Sequence, residues 1–513
     1  MAPDLSTLTS PMALLRHAST VALLTLGSRT LGFVRDAIVA ALFGTGIVAD
    51  AGVAGLALPQ LARRLLGEGA LNAAILPRLP KDGIGRLGTA ALILFGAASI
   101  ALAVVLFIFM PSVITLLAPG FPDDGARELG AVLAGRLAVV CVPLATIAGV
   151  LAALANASGR FARPSFAPVA GNIAVIAVVL GLYLSGAHEM AVTAGLVWLA
   201  LATVAGAVTQ LIVILAAVPR GTLGPASRQA IREALPMLTA AAPTLMATAL
   251  PQLRFIIAAS AASGITGGIA ALFYATRLIE LPLGLIGAST GAVLLPALAT
   301  REKSDIGHRG VEAALALSLP AALGLAVLAQ PIVAVLFQRG AFDLAATQLT
   351  AAALAMLALT LPLQAVEKIL AAIAFAQGFS RLVTTAALIA LPLGAVIGFL
   401  TAGPLGIAGP ALGVLASSVV SLIILWAGLA RHGLMRLDPD VRRRLTGLIV
   451  AALAMALVVG FGAYFLKAPL DGGGLKGAGL LGLLVMLGMA VYFTAARTLG
   501  GLHIAALRAA LRD

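Results

Sequence analysis

The chain has 513 residues, 61% of them hydrophobic and only 10% charged, with a mean hydropathy of +1.10 and a formal net charge of +13. Soluble domains run at about 45–50% apolar and about 25% charged, so this composition excludes a soluble enzyme or binding module and predicts an all-α polytopic membrane protein. The basic residues fall in short loops between apolar runs, without an RNA-binding motif or basic tail, so nucleic acid is not an expected partner.

A membrane-spanning helix needs about 20 mostly apolar residues, and the loop signals divide the chain into about fourteen such segments. They cover approximately 20–43, 47–77, 87–110, 128–154, 165–184, 191–218, 233–262, 267–298, 311–337, 345–376, 382–402, 407–430, 445–466 and 476–496. Arg16 and His17 precede the first run, which lacks a small-residue cleavage site, so it reads as a retained span rather than a signal peptide. The first two segments, Ser28 to Pro77, carry Arg29, Arg35, Asp36, Asp50, Arg63, Arg64 and Glu68. Each charge at bilayer depth costs about 2.5 to 3.5 kcal/mol on insertion scales, so seven of them imply a wet cavity rather than a lipid face. Pro59, Gly67 and Gly69 around these charges suggest a broken second helix, and Pro236, Pro243 and Pro251 an interrupted seventh. The single cysteine, Cys141, rules out an intrachain disulfide and reads as a buried structural thiol.

Charge placement fixes an expected topology. With a cytoplasmic N-terminus, 21 basic residues lie on the inner side and only Arg127, Arg339, Lys467 and Lys476 on the outer, the split that the positive-inside rule demands of a chain with both ends inside. The other basic residues, Arg29, Arg35, Arg63, Arg64, Arg136, Arg254, Arg277 and Lys368, fall within spans, against the acids Asp36, Asp50, Glu68, Glu280 and Glu367. The interior therefore favours an anion. Arg29 and Asp36 share a helix face; Arg64 and Glu68, and Arg277 and Glu280, are spaced for pairing within one helix. Such pairs could be purely structural, but the arginines outnumber the acids, and guanidinium forks grip phosphate oxygens bidentately.

The chain repeats itself. A shift of 219 lays LAALANASG (151–159) on LAAIAFAQG (370–378), Pro143 on Pro362, Pro77 on Pro296 and Arg35 on Arg254; a shift of 220 lays Pro111, Gly120 and Asp123 on Pro331, Gly340 and Asp343. The expected organisation is an N-terminal lobe at 1–220, a second lobe at 221–432 in the same membrane orientation, and a C-terminal helix pair at 433–513. The arginine-rich linker before that pair, RHGLMRLDPDVRRR, is expected at anionic headgroups.

Enzyme signatures are lacking: neither HExxH nor a phosphate-binding glycine loop occurs, and the histidines lie in or near loops. Asp123 and Asp124 read as acids at a helix start rather than as a metal pair. Arg160 and Arg163 read as a topology signal beside a turn. No metal site and no cofactor is expected.

The run SRTLGFVRDAIVAALFGTGIVADA followed by LPQLARRLLGEGALNAAILP resembles the signature of the MurJ (MviN) lipid II flippases, within the superfamily of multidrug, oligosaccharidyl-lipid and polysaccharide exporters. NASGRFARPSFAPVAGNI, ALFYATRLIELPLGLIGASTGAVLLPAL and LFQRGAFD extend the resemblance to about residue 380. It implies two six-helix lobes around a central cavity plus a terminal helix pair, and translocation of an undecaprenyl-diphosphate-linked peptidoglycan precursor across the bacterial inner membrane. By motif position it implies functional roles for Arg29, Arg35, Asp50, Arg63, Glu68 and Arg277. The chain departs from the family at AGVAGLALPQ, where members commonly carry aromatics and a Lys-Leu-Pro-Asn segment. The seventh and eleventh spans read as free of carboxylates, so the sodium coupling of some members is not expected.

The resulting expectation is alternating access by a monomer, with the diphosphate held by Arg29, Arg35, Arg63, Arg277 and Arg254 and supported by Asp36, Asp50, Arg64, Glu68 and Glu280. Membrane lipids and proteins of cell-wall synthesis are the expected surroundings. The alternatives are an exporter of another polyprenyl-linked oligosaccharide or of drugs, a polytopic enzyme on lipid-linked sugars, and a non-transporting scaffold.

Overall fold

A computed structural model describes residues 11–67, 71, 75–79, 84–186, 190–219, 222–298, 303–435, 439–467, 470 and 474–501. Among these residues there are helices and turns and no strands. The first half contains α1 (Pro11–Phe43), α2 (Ile47–Gly55), α3 (Ala57–Ala62) running into a π-turn at Arg63–Gly67, α4 (Ile84–Ile108), α5 (Met110–Leu117), α6 (Ala126–Ala138), α7 (Cys141–Ala157), α8 (Ala162–Leu184) and α9 (Val192–Leu215). The second contains α10 (Arg228–Ala262), α11 (Gly268–Leu298), α12 (Lys303–Val327), α13 (Ala329–Phe337), α14 (Leu344–Ala358), α15 (Leu361–Ala376), α16 (Ser380–Leu405) and α17 (Ala408–Arg431), followed by α18 (Pro439–Phe465) and α19 (Gly474–Thr498).

Helix ends recur at the offset read from the sequence. Residues 84–108 of α4 and 303–327 of α12 are both bounded by a one-residue break, at Phe109 and Leu328, before a short helix begins. The α6–α7 junction at Val139 and Val140 returns as the α14–α15 junction at Leu359 and Thr360.

Among the described residues, nine helical stretches are long and apolar enough to cross a membrane, or ten if the pair α14–α15, bent by 44°, is one span. That count covers the described residues alone. Of the four other expected segments, 47–77, 233–262 and 267–298 include side chains outside those described, and 20–43 carries Arg29, Arg35 and Asp36. The second is broken as its prolines and glycines suggested, first at Leu56 and then into the π-turn. The seventh is not: α10 runs without interruption through Pro236, Pro243 and Pro251. It also begins with a carboxylate, Glu233, which is exposed and accepts from Gln229 at 2.9 Å, so the seventh segment is not free of acids as the sequence reading had it.

The chain forms two compact units, Met1–Ile256 and Ile257–Asp513. In the first, small residues let helices touch backbone to backbone. Gly55 of α2 faces the Ala131 carbonyl of α6 with no room for a Cβ, and Gly130 is closed off by Leu196 of α9. Ala230, Ala234, Met237 and Ala241 of α10 pack on Leu71, Ile75, Ala90, Phe95, Val150 and Ala153, so most of α10 belongs to this unit. The 160–163 loop does more than carry charge: Arg160 and Arg163 donate to the carbonyls of Ala217 and Ala216 at 3.2 and 2.6 Å, satisfying the open end of α9.

In the second unit α16 and α17 cross where Gly394, Gly398 and Gly413 remove the side chains between them. The C-terminal pair packs Leu448, Ala452, Met455, Leu484 and Tyr492 on the outer face of α12 and α13. Two polar contacts fasten it: the Tyr492 hydroxyl donates to the Ala316 carbonyl at 2.7 Å, and Arg444 donates through Nε and Nη2 to Glu312 at 3.0 and 2.8 Å. Arg444, expected at lipid headgroups with the rest of its linker, is an internal ion-pair partner. Cys141 is buried, as expected of a structural thiol.

Candidate functional site

Four polar clusters hold most of the charges that the loops do not explain. The first joins α1 to α8. The Arg35 guanidinium contacts Asp36 Oδ1 through Nε at 2.8 Å and Nη2 at 2.7 Å, and donates from Nη1 to Asn172 Oδ1 at 3.1 Å. Asn172 Nδ2 donates in turn to the Ser28 carbonyl at 3.0 Å. Asp36, which shares a helix face with Arg29, is also reached by the adjacent Arg35, because an arginine is long enough to fold back across one residue. Arg29 stands exposed one turn above Gly32.

The second cluster joins α2 to α6. Asp50 is wholly buried and meets Arg127 at 3.3 Å, and the Arg127 guanidinium lies 4.7 Å from the Phe121 ring centroid. Arg127 is a residue that the sequence reading missed, since it had been counted as an outer-loop charge. A usable signal was its place in the first turn of α6, where the helix dipole disfavours a cation unless an acid answers it. The neighbouring FPDDGAREL segment is a helix entry as expected, with Glu128 accepting from the Asp124 backbone N–H at 2.8 Å.

The third cluster sits on the π-turn. Arg63 and Arg64 are half-buried, and Arg64 donates to Gln252 of α10 at 2.6 Å. The turn is accommodated by Gly149 of α7, whose missing side chain leaves space for the Leu66 carbonyl. π-Turns of this kind insert one extra residue into a helix and concentrate at functional positions. Glu68, proposed as the partner of Arg64, lies outside the described residues. Arg254, three residues from the end of the first unit, is partly exposed on α10.

The fourth cluster belongs to the second unit. Arg277 pairs with Glu280 at 2.8 Å, the i, i+3 contact anticipated from spacing, and stacks 4.7 Å from the Phe273 centroid. Behind it Tyr274, Phe337 and Phe342 form a buried aromatic stack, so the LFQRGAFD loop and the Arg277 helix share one core. Glu367 accepts from Ser421 at 2.6 Å, between α15 and α17. Arg136, counted among the intramembrane arginines, donates to the Phe107 carbonyl at 3.3 Å and covers its ring, so it is occupied in packing α6 on α4. Among the described residues no group of three or more His, Cys, Asp or Glu side chains could hold a metal ion.

Long apolar helices in two halves that share one spacing, with arginines gathered on the charged ones, have the make-up of a polytopic transporter. The fold agrees with solved transporters: the chain superposes on a structure titled "Lipid II flippase MurJ, inward closed conformation" with a TM-score of 0.78 at 20% identity, over 93% of this chain and 97% of that one. It also superposes on an inward-facing multidrug resistance transporter of the MATE family with a TM-score of 0.63 at 18% identity, over 81% and 98%. The family profile described as "Lipid II flippase MurJ" matches residues 39–471. A probable lipid II flippase MurJ of Rhizobium tropici is 32% identical over 98% of this chain and 97% of its own, and the Lipid II flippase MurJ of Burkholderia cenocepacia 30% identical over 87% and 89%. The chain belongs to the lipid II flippase MurJ family.

Proposed function

We infer that this protein is a flippase, not an enzyme, which moves lipid II from the inner to the outer leaflet of the bacterial inner membrane. The observation that carries this is the family match along residues 39–471. The substrate joins a long apolar tail to a diphosphate and a polar headgroup, so the protein must offer a path for charge through the bilayer. The diphosphate is held by Arg29, Arg35, Arg63 and Arg277, with Arg254 adding a fifth guanidinium; Asp36, Asp50, Arg64, Glu68 and Glu280 set their orientation. Arginine is suited to this because its planar fork binds phosphate oxygens in pairs and stays charged at membrane depth.

Transport proceeds by alternating access between a lobe at 1–220 and a lobe at 221–432, with the pair at 433–513 attached to the second. The recurrence of helix ends at an offset of 219 supports that division, and the 21 to 4 distribution of loop charge supports cytoplasmic termini. The protein acts as a monomer alongside the cell-wall synthesis proteins that use its product.

The test is a lipid II translocation assay in cells depleted of this protein. Outer-leaflet lipid II should fall as the protein is lost and recover on re-expression. Unchanged exposure of lipid II, or preferential binding of a different polyprenyl diphosphate by the purified protein, would sink the assignment.

A further inference from the structure

We propose that Asn172 is the positioning residue for Arg35 in diphosphate binding, an inference that rests on the reading of Arg35 as a diphosphate ligand. Ser28 and Arg35 are two turns apart on one face of α1, and Gly32 lies between them. The Asn172 amide lies over Gly32, with Nδ2 3.8 Å from where a Cβ would stand, an ordinary contact distance. Asn172 is 4% exposed and belongs to a helix otherwise made for lipid and packing. Its neighbour Gly171 is closed against Gln210 of α9 with no space for a Cβ, which fixes the rotation of α8 and aims Asn172 at α1.

The amide is used at both ends. With Nδ2 spent on the Ser28 carbonyl and 3.3 Å from the Ser28 hydroxyl, Oδ1 must face Arg35, and it accepts from Nη1. Asp36 occupies the Nε and Nη2 edge of the same guanidinium. Arg35 is thus gripped from two sides, and only one grip is charged. An acid in place of Asn172 would cancel the cation a second time, and an apolar residue would let the guanidinium rotate about Asp36. A neutral acceptor holds the fork still and keeps its remaining N–H groups available to a phosphate.

The experiment is a binding titration of purified full-length protein in nanodiscs with lipid II and with undecaprenyl diphosphate, comparing wild type, Asn172→Leu, Arg35→Ala and the double variant, with thermal midpoints for each. Asn172→Leu should weaken both ligands by about tenfold, and in the Arg35→Ala background it should change affinity by less than about twofold, since the residue it positions is gone. Asn172→Ala, which removes the acceptor without adding bulk, serves if the Leu variant does not fold, and should show the same coupling. Wild-type binding by Arg35→Ala would overturn the reading of Arg35 itself. Weak binding by Arg35→Ala with normal binding by Asn172→Leu would overturn the role of Asn172, as would an equal loss from Asn172→Leu in both backgrounds, which marks a packing residue.

Discussion

At the scale of single residues, Asp50 and Arg127 show how a charge can be required without touching cargo. Asp50 is fully buried and its partner comes from a helix 77 residues away, so the pair ties α2 to α6 within the first unit. Taking away one member of a buried ion pair costs of the order of 3 kcal/mol, because the other stays in a low-dielectric site, whereas removing both costs much less. Arg127→Gln should therefore lower the thermal midpoint in detergent, and adding Asp50→Asn should restore most of the loss. A midpoint unmoved by Arg127→Gln would contradict the pairing. Arg277 calls for a different experiment, because it is held by both Glu280 and Phe273. Arg277→Ala should fail to support growth of a strain lacking its own flippase at normal protein levels, and Arg277→Lys should support it poorly, since an ammonium keeps the charge but loses the fork and the stacked plane. The Arg277–Glu280 contact was legible in the sequence because both residues lie on one helix with fixed spacing. Asp50–Arg127 and Arg35–Asn172 were not, because contacts between helices depend on rotations and crossings that no spacing within one helix encodes.

At the scale of elements, the π-turn at Arg63–Gly67 is the part of the site that depends most on a distant residue. Gly149 on α7 makes room for the Leu66 carbonyl, and any side chain there must push the turn away. Gly149→Val should cost about 1–3 kcal/mol through overpacking and should reduce complementation even where the protein accumulates, because Arg63 and Arg64 move with the turn. Normal growth with Gly149→Val would mean that the turn does not set the position of these arginines. The docking of the C-terminal pair gives a milder case. Arg444→Ala should lower stability by no more than about 1 kcal/mol, since both partners keep contact with solvent, and a double-mutant cycle with Glu312→Gln measures the coupling. Proline and glycine were unequal guides here. They marked the break in the second segment, yet α10 passes through three prolines as one helix, because neighbours can stabilise a helix whose own ladder lacks donors.

At the scale of the molecule, the composition was enough to identify a polytopic membrane protein. The first segment was the harder one to read as a span, since Arg29, Arg35 and Asp36 interrupt its apolar run. Under the proposed function, an excess of cationic groups at membrane depth would make the transport cycle sensitive to voltage, as one charge moved across 100 mV is worth about 2.3 kcal/mol. Collapsing the membrane potential should slow lipid II translocation, and neutralising Arg29 should reduce that sensitivity; a rate independent of potential would exclude movement of these charges through the field.

α4 and α12 end 219 residues apart, at Ile108 and Val327, and each is followed by a one-residue break and a short helix. Nearly all of the two halves' chemistry differs, and of the candidate ligands only Arg35 falls on a counterpart, Arg254. Spacing is what they share. One residue added inside a helix advances everything after it by 1.5 Å and swings it through about 100°, turning lipid-facing side chains inward and buried ones out. Substitutions alter one contact at a time, but an insertion misdirects an entire rod, so in such an architecture the ruler is stricter than the alphabet written along it.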